Sequence, residues 1–293
     1  MSKKMMKRIV CNTVAALSAA ACLGMATACE TAHPEVEMTI TFQNEEYVLE
    51  YELYRKVAPK TVSHFLWLAG NGYYDGLCVH NYDSSAERMY TGAYTLDAEE
   101  ESGLKYKEYY NEIAKFANYA EFPTSVWKDE AGTKPLYTVY GEFEQNGFVV
   151  ENGAKKQSYG ALTMYYHDNS TTAKAYVPYQ SEEYEGLATR EYKYNSATSH
   201  FFITLSDTES SSTKYCTFAT LTEDGVETLQ ELEDAIADYI STNYGGDDAD
   251  AADFVTQQKV TVNSDGEYAS NKIVNVNVPN APIVIKSVKV TKY

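Results

Sequence analysis

Lysine and arginine are scarce in this chain, 24 against 42 aspartates and glutamates in 293 residues, for a formal charge of −18 at neutral pH. Phosphate backbones and anionic lipid surfaces are held by clustered basic side chains, so this balance argues against a nucleic-acid partner. Histidine is sparser still. His33, His64, His80, His167 and His200 never fall into a His-x3-His spacing, and the five cysteines never form Cys-x2-Cys, so the sequence offers no metal site and implies no cofactor. Cys11 and Cys22 lie in an N-terminal apolar run. Cys78 and Cys216 sit inside strand-like apolar stretches, where a free cysteine behaves as a small hydrophobe; spacing alone leaves a disulfide between them open.

That N-terminal run has the order of an export signal. Lys3, Lys4, Lys7 and Arg8 precede apolar residues from Ile9, and Ala26-Thr27-Ala28 supplies small residues for cleavage. Removal of residues 1–28 leaves 20 basic against 42 acidic side chains, or −22. Cys29 follows at once, and the junction resembles the lipobox of bacterial lipoproteins. The expectation is a lipid-anchored protein facing outward, held to the membrane only through Cys29. Simple secretion is the first alternative, and an uncleaved anchor over Ile9 to Ala28 is the second, since that stretch is just long enough to span a bilayer. Residues 29–35 read as a short linker and 36–293 as one domain, because 44% apolar content at this length suits a single embellished core. The 27 tyrosines fit either an amphipathic binding surface or strand filler.

Within the domain, Val36, Met38, Ile40 and Phe42 alternate with polar residues, and Leu49, Tyr51 and Leu53 repeat the period after Gln43-Asn-Glu-Glu46, which predicts a hairpin. Pro59 opens an amphipathic helix whose stripe is Val62, Phe65, Leu66 and Ala69, closed by Gly70-Asn-Gly72. Tyr106, Tyr110, Ile113, Ala117 and Ala120 fit another helical face. Val226, Leu229, Leu232 and Ile236 form the stripe of a later helix, and Val274, Val276 and Val278 alternate with asparagines. Gly245 to Asp253 carries four aspartates but lacks the order of a calcium loop and reads as a solvated loop.

Five ordered blocks carry a family resemblance. Asn195-Ser-Ala-Thr-Ser-His-Phe-Phe-Ile-Thr204 is similar to the Asn-Ser-Ala-Gly-Ser-Gln-Phe-Phe-Ile signature of the cyclophilins, with His200 at the Gln. Ala58 to Ala69, running into Gly72-Tyr-Tyr-Asp-Gly76, resembles that family's first helix and its turn. Val139 to Phe148, Gly160-Ala-Leu-Thr-Met164 and Lys214-Tyr-Cys-Thr-Phe218 resemble three further blocks. The fold this implies is all-β with two capping helices: a closed eight-stranded antiparallel cyclophilin-like β-barrel, with insertions at 97–138, 167–194 and about 241–270. Phe65, Phe148, Phe202, Phe218 and Leu229 are expected in one core.

The function the resemblance implies is peptidyl-prolyl cis-trans isomerisation, assisting the folding of exported proteins at their proline-containing segments. In the family a Phe-His-Arg block supplies an Arg that donates toward the prolyl nitrogen, lowering a rotational barrier of about 18–20 kcal/mol. Here that block reads Val79-His80-Asn81, which predicts weak activity. Arg88 is the nearest other guanidinium, read either as an alternative donor or as an exposed surface residue. By the same resemblance Met89 and Tyr90 line the pocket, Tyr165 partly fills the groove, Phe202 is the floor and Tyr215 the wall. His200 either bonds the substrate backbone or sits at the rim. The alternative function is a catalytically degenerate module that binds peptides or proteins at the cell surface.

Overall fold

The four apolar residues of period two are all buried in β1 (Glu35–Phe42), and their neighbours are half-exposed, as a strand with one covered face requires. The computed structural model describes residues 31–113, 115, 139, 141–143, 155–165, 174–180, 185–191, 198–207, 215–245, 250–263 and 271–293. β1 turns through Gln43 and Asn44, both at positive φ (50° and 70°), into β2 (Glu45–Leu53). Two consecutive left-handed residues give the primed turn whose twist matches that of the strands.

Helix α1 (Pro59–Gly70) starts at Ala58, which has no side chain able to cap it. A carboxylate from far along the chain does so instead: Glu142 Oε1 accepts the Lys60 N–H and Oε2 the Thr61 N–H, each at 2.9 Å. Short strands follow as β3 (Asn81–Asp83), β4 (Arg88–Thr91), β5 (Tyr94–Leu96) and β6 (Leu104–Tyr106), then a single-turn helix α2 (Tyr109–Ile113). Next come β7 (Leu162–Met164), a hairpin of β8 (Lys174–Gln180) with β9 (Glu185–Glu191), and β10 (Phe201–Thr204). β11 (Thr217–Leu221) leads into α3 (Glu223–Tyr244), where the Thr222 hydroxyl accepts the Gly225 N–H and Glu223 and Asp224 face the positive helix end. β12 (Val255–Asn263), β13 (Asn271–Pro279) and β14 (Ile283–Lys292) complete the chain.

Eight strands make one curled antiparallel sheet in the order β14-β1-β2-β11-β7-β10-β4-β3. Its ends meet: Cys78, just ahead of β3, bridges Val284 on β14, with Val79 N–H donating to the Ile283 carbonyl and Ile285 N–H to that of Leu77. The core inside the curl joins both long helices to the sheet. Phe65 from α1 lies 5.0 Å from both Tyr74 and Phe218, centroid to centroid, and Leu229 from α3 is buried in the same cluster.

Several expectations are corrected. Phe202 is fully buried but outside this core: on β10, Phe201 and Ile203 enter the cluster and strand alternation turns Phe202 to the opposite face. Met89, expected at the pocket, is a core residue for the same reason. Tyr106 belongs to a strand, paired with Tyr94 across a turn at Gly103 (φ 71°), so the helical face begins only at Tyr109. Cys78 and Cys216 are buried thiols not joined in a disulfide, and burial pushes the Cys78 thiol up to about 12. Phe148, Ala117 and Ala120 lie outside the described residues.

Candidate functional site

The alternation that sends Met89 inward sends Arg88 and Tyr90 outward. β4 pairs with β10 so that Tyr90 faces Phe202 and Arg88 faces Thr204, which puts all three outward side chains on one patch. Their rings and charge make a stack. The Arg88 guanidinium carbon sits 4.5 Å from the Phe202 ring centroid and 5.5 Å from that of Tyr215, within the range of cation–π attraction. Its Nη2 donates to Gln157 Oε1 at 3.1 Å. Tyr90 and Tyr215 approach the Phe202 ring at 5.3 and 5.7 Å. Phe202 is 0% exposed because these neighbours cover its outward side. Burial raises the Tyr90 hydroxyl above its ordinary value, and the hydrogen bond and charge of Arg88 pull it partly back.

A second cluster adjoins through Tyr165, whose ring meets Tyr90 edge-on at 5.7 Å and stacks on His200 at 6.2 Å. His200, 2% exposed, is also ringed by His80, Tyr94 and Tyr106 at 5.8–6.3 Å. A close approach of backbones places it. Gly92 has φ +93°, and a Cβ there would stand 2.2 Å from the Ser199 carbonyl oxygen, so only glycine lets the segment before β10 lie against β4. Helix α1 fastens the same segment: the His64 Nε2–H donates to the Thr198 carbonyl at 2.7 Å. Burial lowers the His64 imidazole to about 4, the hydrogen bond to Thr198 opposing this in part.

Asn81 stands across the β3–β4 ladder from Tyr90. Its Oδ1 accepts the backbone N–H of Asn277 at 2.8 Å, so its amide serves the β12–β13 hairpin. That hairpin packs Val260 and Val276 into a small cluster with Cys78, Ala93, Tyr94 and Leu104, beside β3. The structure therefore gathers Arg88, Tyr90, Phe202 and Tyr215 around one floor, sets Tyr165 and His200 beside it, and ties Asn81 to the hairpin. Cys29 lies outside the described residues.

Gln157 and Asn277 were not legible as site residues. The only signal for Asn277 was its place among asparagines alternating with Val274, Val276 and Val278, and Gln157 had none beyond its nearness to the Gly160 block. Among the described residues, no three of His, Cys, Asp and Glu converge as a metal site, and no helix is long and apolar enough to cross a membrane.

No curated protein matches the chain. Among solved structures, a cyclophilin-type peptidyl-prolyl cis-trans isomerase of Cryptosporidium parvum is 17% identical, with 89% of this chain and 99% of that one covered and a TM-score of 0.42. The Mimivirus cyclophilin is 14% identical, covering 92% and 95%, at a TM-score of 0.41. The family model described as cyclophilin type peptidyl-prolyl cis-trans isomerase/CLD matches residues 37–262, which is most of the chain. The chain therefore belongs to the cyclophilin-type peptidyl-prolyl cis-trans isomerase family.

Proposed function

We propose that the protein is a peptidyl-prolyl isomerase of weak turnover, acting on proline-containing segments of exported proteins. The observation that carries this reading is Phe202, a ring turned out of the core by strand alternation and walled by Tyr90 and Tyr215. An apolar floor with polar-tipped walls suits a prolyl ring and its flanking amides. Uncatalysed X–Pro isomerisation takes tens to hundreds of seconds, so even modest acceleration serves a folding chain. A donor to the prolyl nitrogen lowers the barrier by withdrawing its lone pair from amide resonance. At position 81 the only side-chain donor is the neutral Nδ2 amide, and the amide is oriented by its oxygen accepting the Asn277 N–H. Loss of one transition-state donor costs on the order of 10²–10³ in rate.

Exchange NMR on a short proline peptide tests the reading. Measurable acceleration, smaller by on the order of 10²–10³ than that of an Arg-bearing cyclophilin, is expected; turnover equal to such a relative overturns the argument from Asn81. The second reading is a degenerate module that binds peptides at the cell surface without turnover. It is favoured by Arg88, which covers the floor in this conformation. Binding of the peptide with no acceleration selects it.

Export with lipid attachment at Cys29 belongs to the same proposal, supported by the order of basic, apolar and small residues before that cysteine. Mass spectrometry of the mature protein is expected to find an N-terminal, lipid-bearing Cys29. An unmodified Cys29 at the N-terminus rejects lipidation and leaves export standing.

A further inference from the structure

Arg88 is a half-buried cation in an acidic protein, yet among the described residues no carboxylate lies within ion-pair distance of it. Asp83 faces it across the β3–β4 ladder, but Asp83 Oδ1 accepts from the Ser85 hydroxyl and the Ala86 N–H. The guanidinium is instead held over Phe202 by cation–π attraction and by hydrogen bonds to Gln157 and to the Tyr90 hydroxyl. Its Nε is buried and makes no hydrogen bond among the described residues. A desolvated donor on a cation is costly without an acceptor, and a carboxylate in the guanidinium plane is its best partner. The same contact covers the ring face on which a prolyl ring would lie.

We propose that Arg88 makes this site selective for peptides with an acidic residue next to the proline, the carboxylate drawing the guanidinium off Phe202 as the prolyl ring replaces it. This rests on the reading of Phe202 as the prolyl floor. Adjacency follows from distance: the guanidinium lies 4.5 Å from the ring centroid, and consecutive residues of a peptide stand about 3.8 Å apart. Arg88 remains anchored on β4 beside Tyr90 and Phe202 when its guanidinium moves, so the residue next to the proline is the one proposed to carry the carboxylate. The guanidinium thus acts as a latch. Neutral peptides must displace it without compensation, whereas acidic ones give it a charged acceptor in exchange for the Phe202 face and Gln157.

The test is calorimetric binding of two tetrapeptides, one with Glu before Pro and one with Gln, to the mature chain. The wild type is expected to prefer the Glu peptide at least about tenfold, as charge-assisted pairing outweighs a neutral bond. In Arg88→Met the preference falls to about twofold or less, while Arg88→Lys keeps part of it. Raising salt shrinks the wild-type preference, which decides the matter even if Arg88→Met fails to fold. Equal binding of the two peptides by the wild type, or a preference that survives Arg88→Met, overturns the proposal. Acid-selective binding without isomerisation leaves it standing and removes the isomerase reading instead; no binding of either peptide removes both.

Discussion

The side-chain oxygen of Asn81 and the backbone N–H of Asn277, 196 residues apart, form a hydrogen bond of 2.8 Å that pins the β12–β13 hairpin to β3. Antiparallel pairing with β12 leaves one edge of β13 turned toward β3, and a neutral side chain with an acceptor closes that edge at one point. Asn81 thus has a structural task of its own.

Asn81→Ala removes the acceptor and is expected to cost about 1–3 kcal/mol, the penalty for leaving a partly buried N–H unpaired. Asn81→Asp keeps an acceptor and stays within about 1 kcal/mol of wild type. If the proposed reading of position 81 holds, Asn81→Arg supplies a charged donor and is expected to raise turnover at least about tenfold, some 1.4 kcal/mol of barrier, with the same loss of stability as Asn81→Ala. Urea denaturation beside exchange NMR measures both; a stable Arg variant with unchanged turnover contradicts the argument on both counts.

Phe65 and Phe218 meet at 5.0 Å in the centre of the core, each 0% exposed. Truncation of either to Ala is expected to cost about 3–5 kcal/mol, because the packed strands and helix around them cannot close the void. Chemical denaturation that finds less than about 1 kcal/mol at either position would refute their placement in one core.

Burial raises the Glu142 carboxyl to about 7, although the N–H groups of Thr61 and Lys60 pull the other way. The folded state therefore holds its proton where the unfolded chain, near 4.5, has already released it. Stability from this group is fully present below about 4.5 and declines as pH rises toward 7. Glu142→Gln, which cannot ionise, should flatten that decline in pH-dependent melting while retaining one acceptor for the α1 cap. An unchanged slope would locate the effect elsewhere.

His64 has the opposite sign. Its imidazole is held neutral to about 4, against 6.5 when unfolded, so its contribution is present above 6.5 and lost as pH falls to 4. His64→Gln keeps an N–H for the Thr198 carbonyl and carries no charge. Its loss of stability between pH 6.5 and 4 is expected to be shallower than that of the wild type; an equal or steeper loss in thermal melts would show that the imidazole charges without penalty.

Much of the fold was legible because its information is local. Alternation along Val36 to Phe42 requires a strand with one buried face whatever it pairs with, and the Pro59 start with the Gly70-Asn-Gly72 stop bounds a helix by backbone geometry alone. The blocks around Phe202 likewise delivered the ring of the candidate site to the right strand. What sequence could not supply is which partner completes each group. Glu142 caps a helix through N–H groups 82 and 81 residues earlier, Gln157 holds Arg88, and Asn277 claims Asn81; each contact is one or two hydrogen bonds between positions whose proximity exists only after the sheet has curled. The inward turn of Met89 and the outward turn of Phe202 were decided by register, since a strand's two faces are chemically assigned only when its neighbours fix which one is covered.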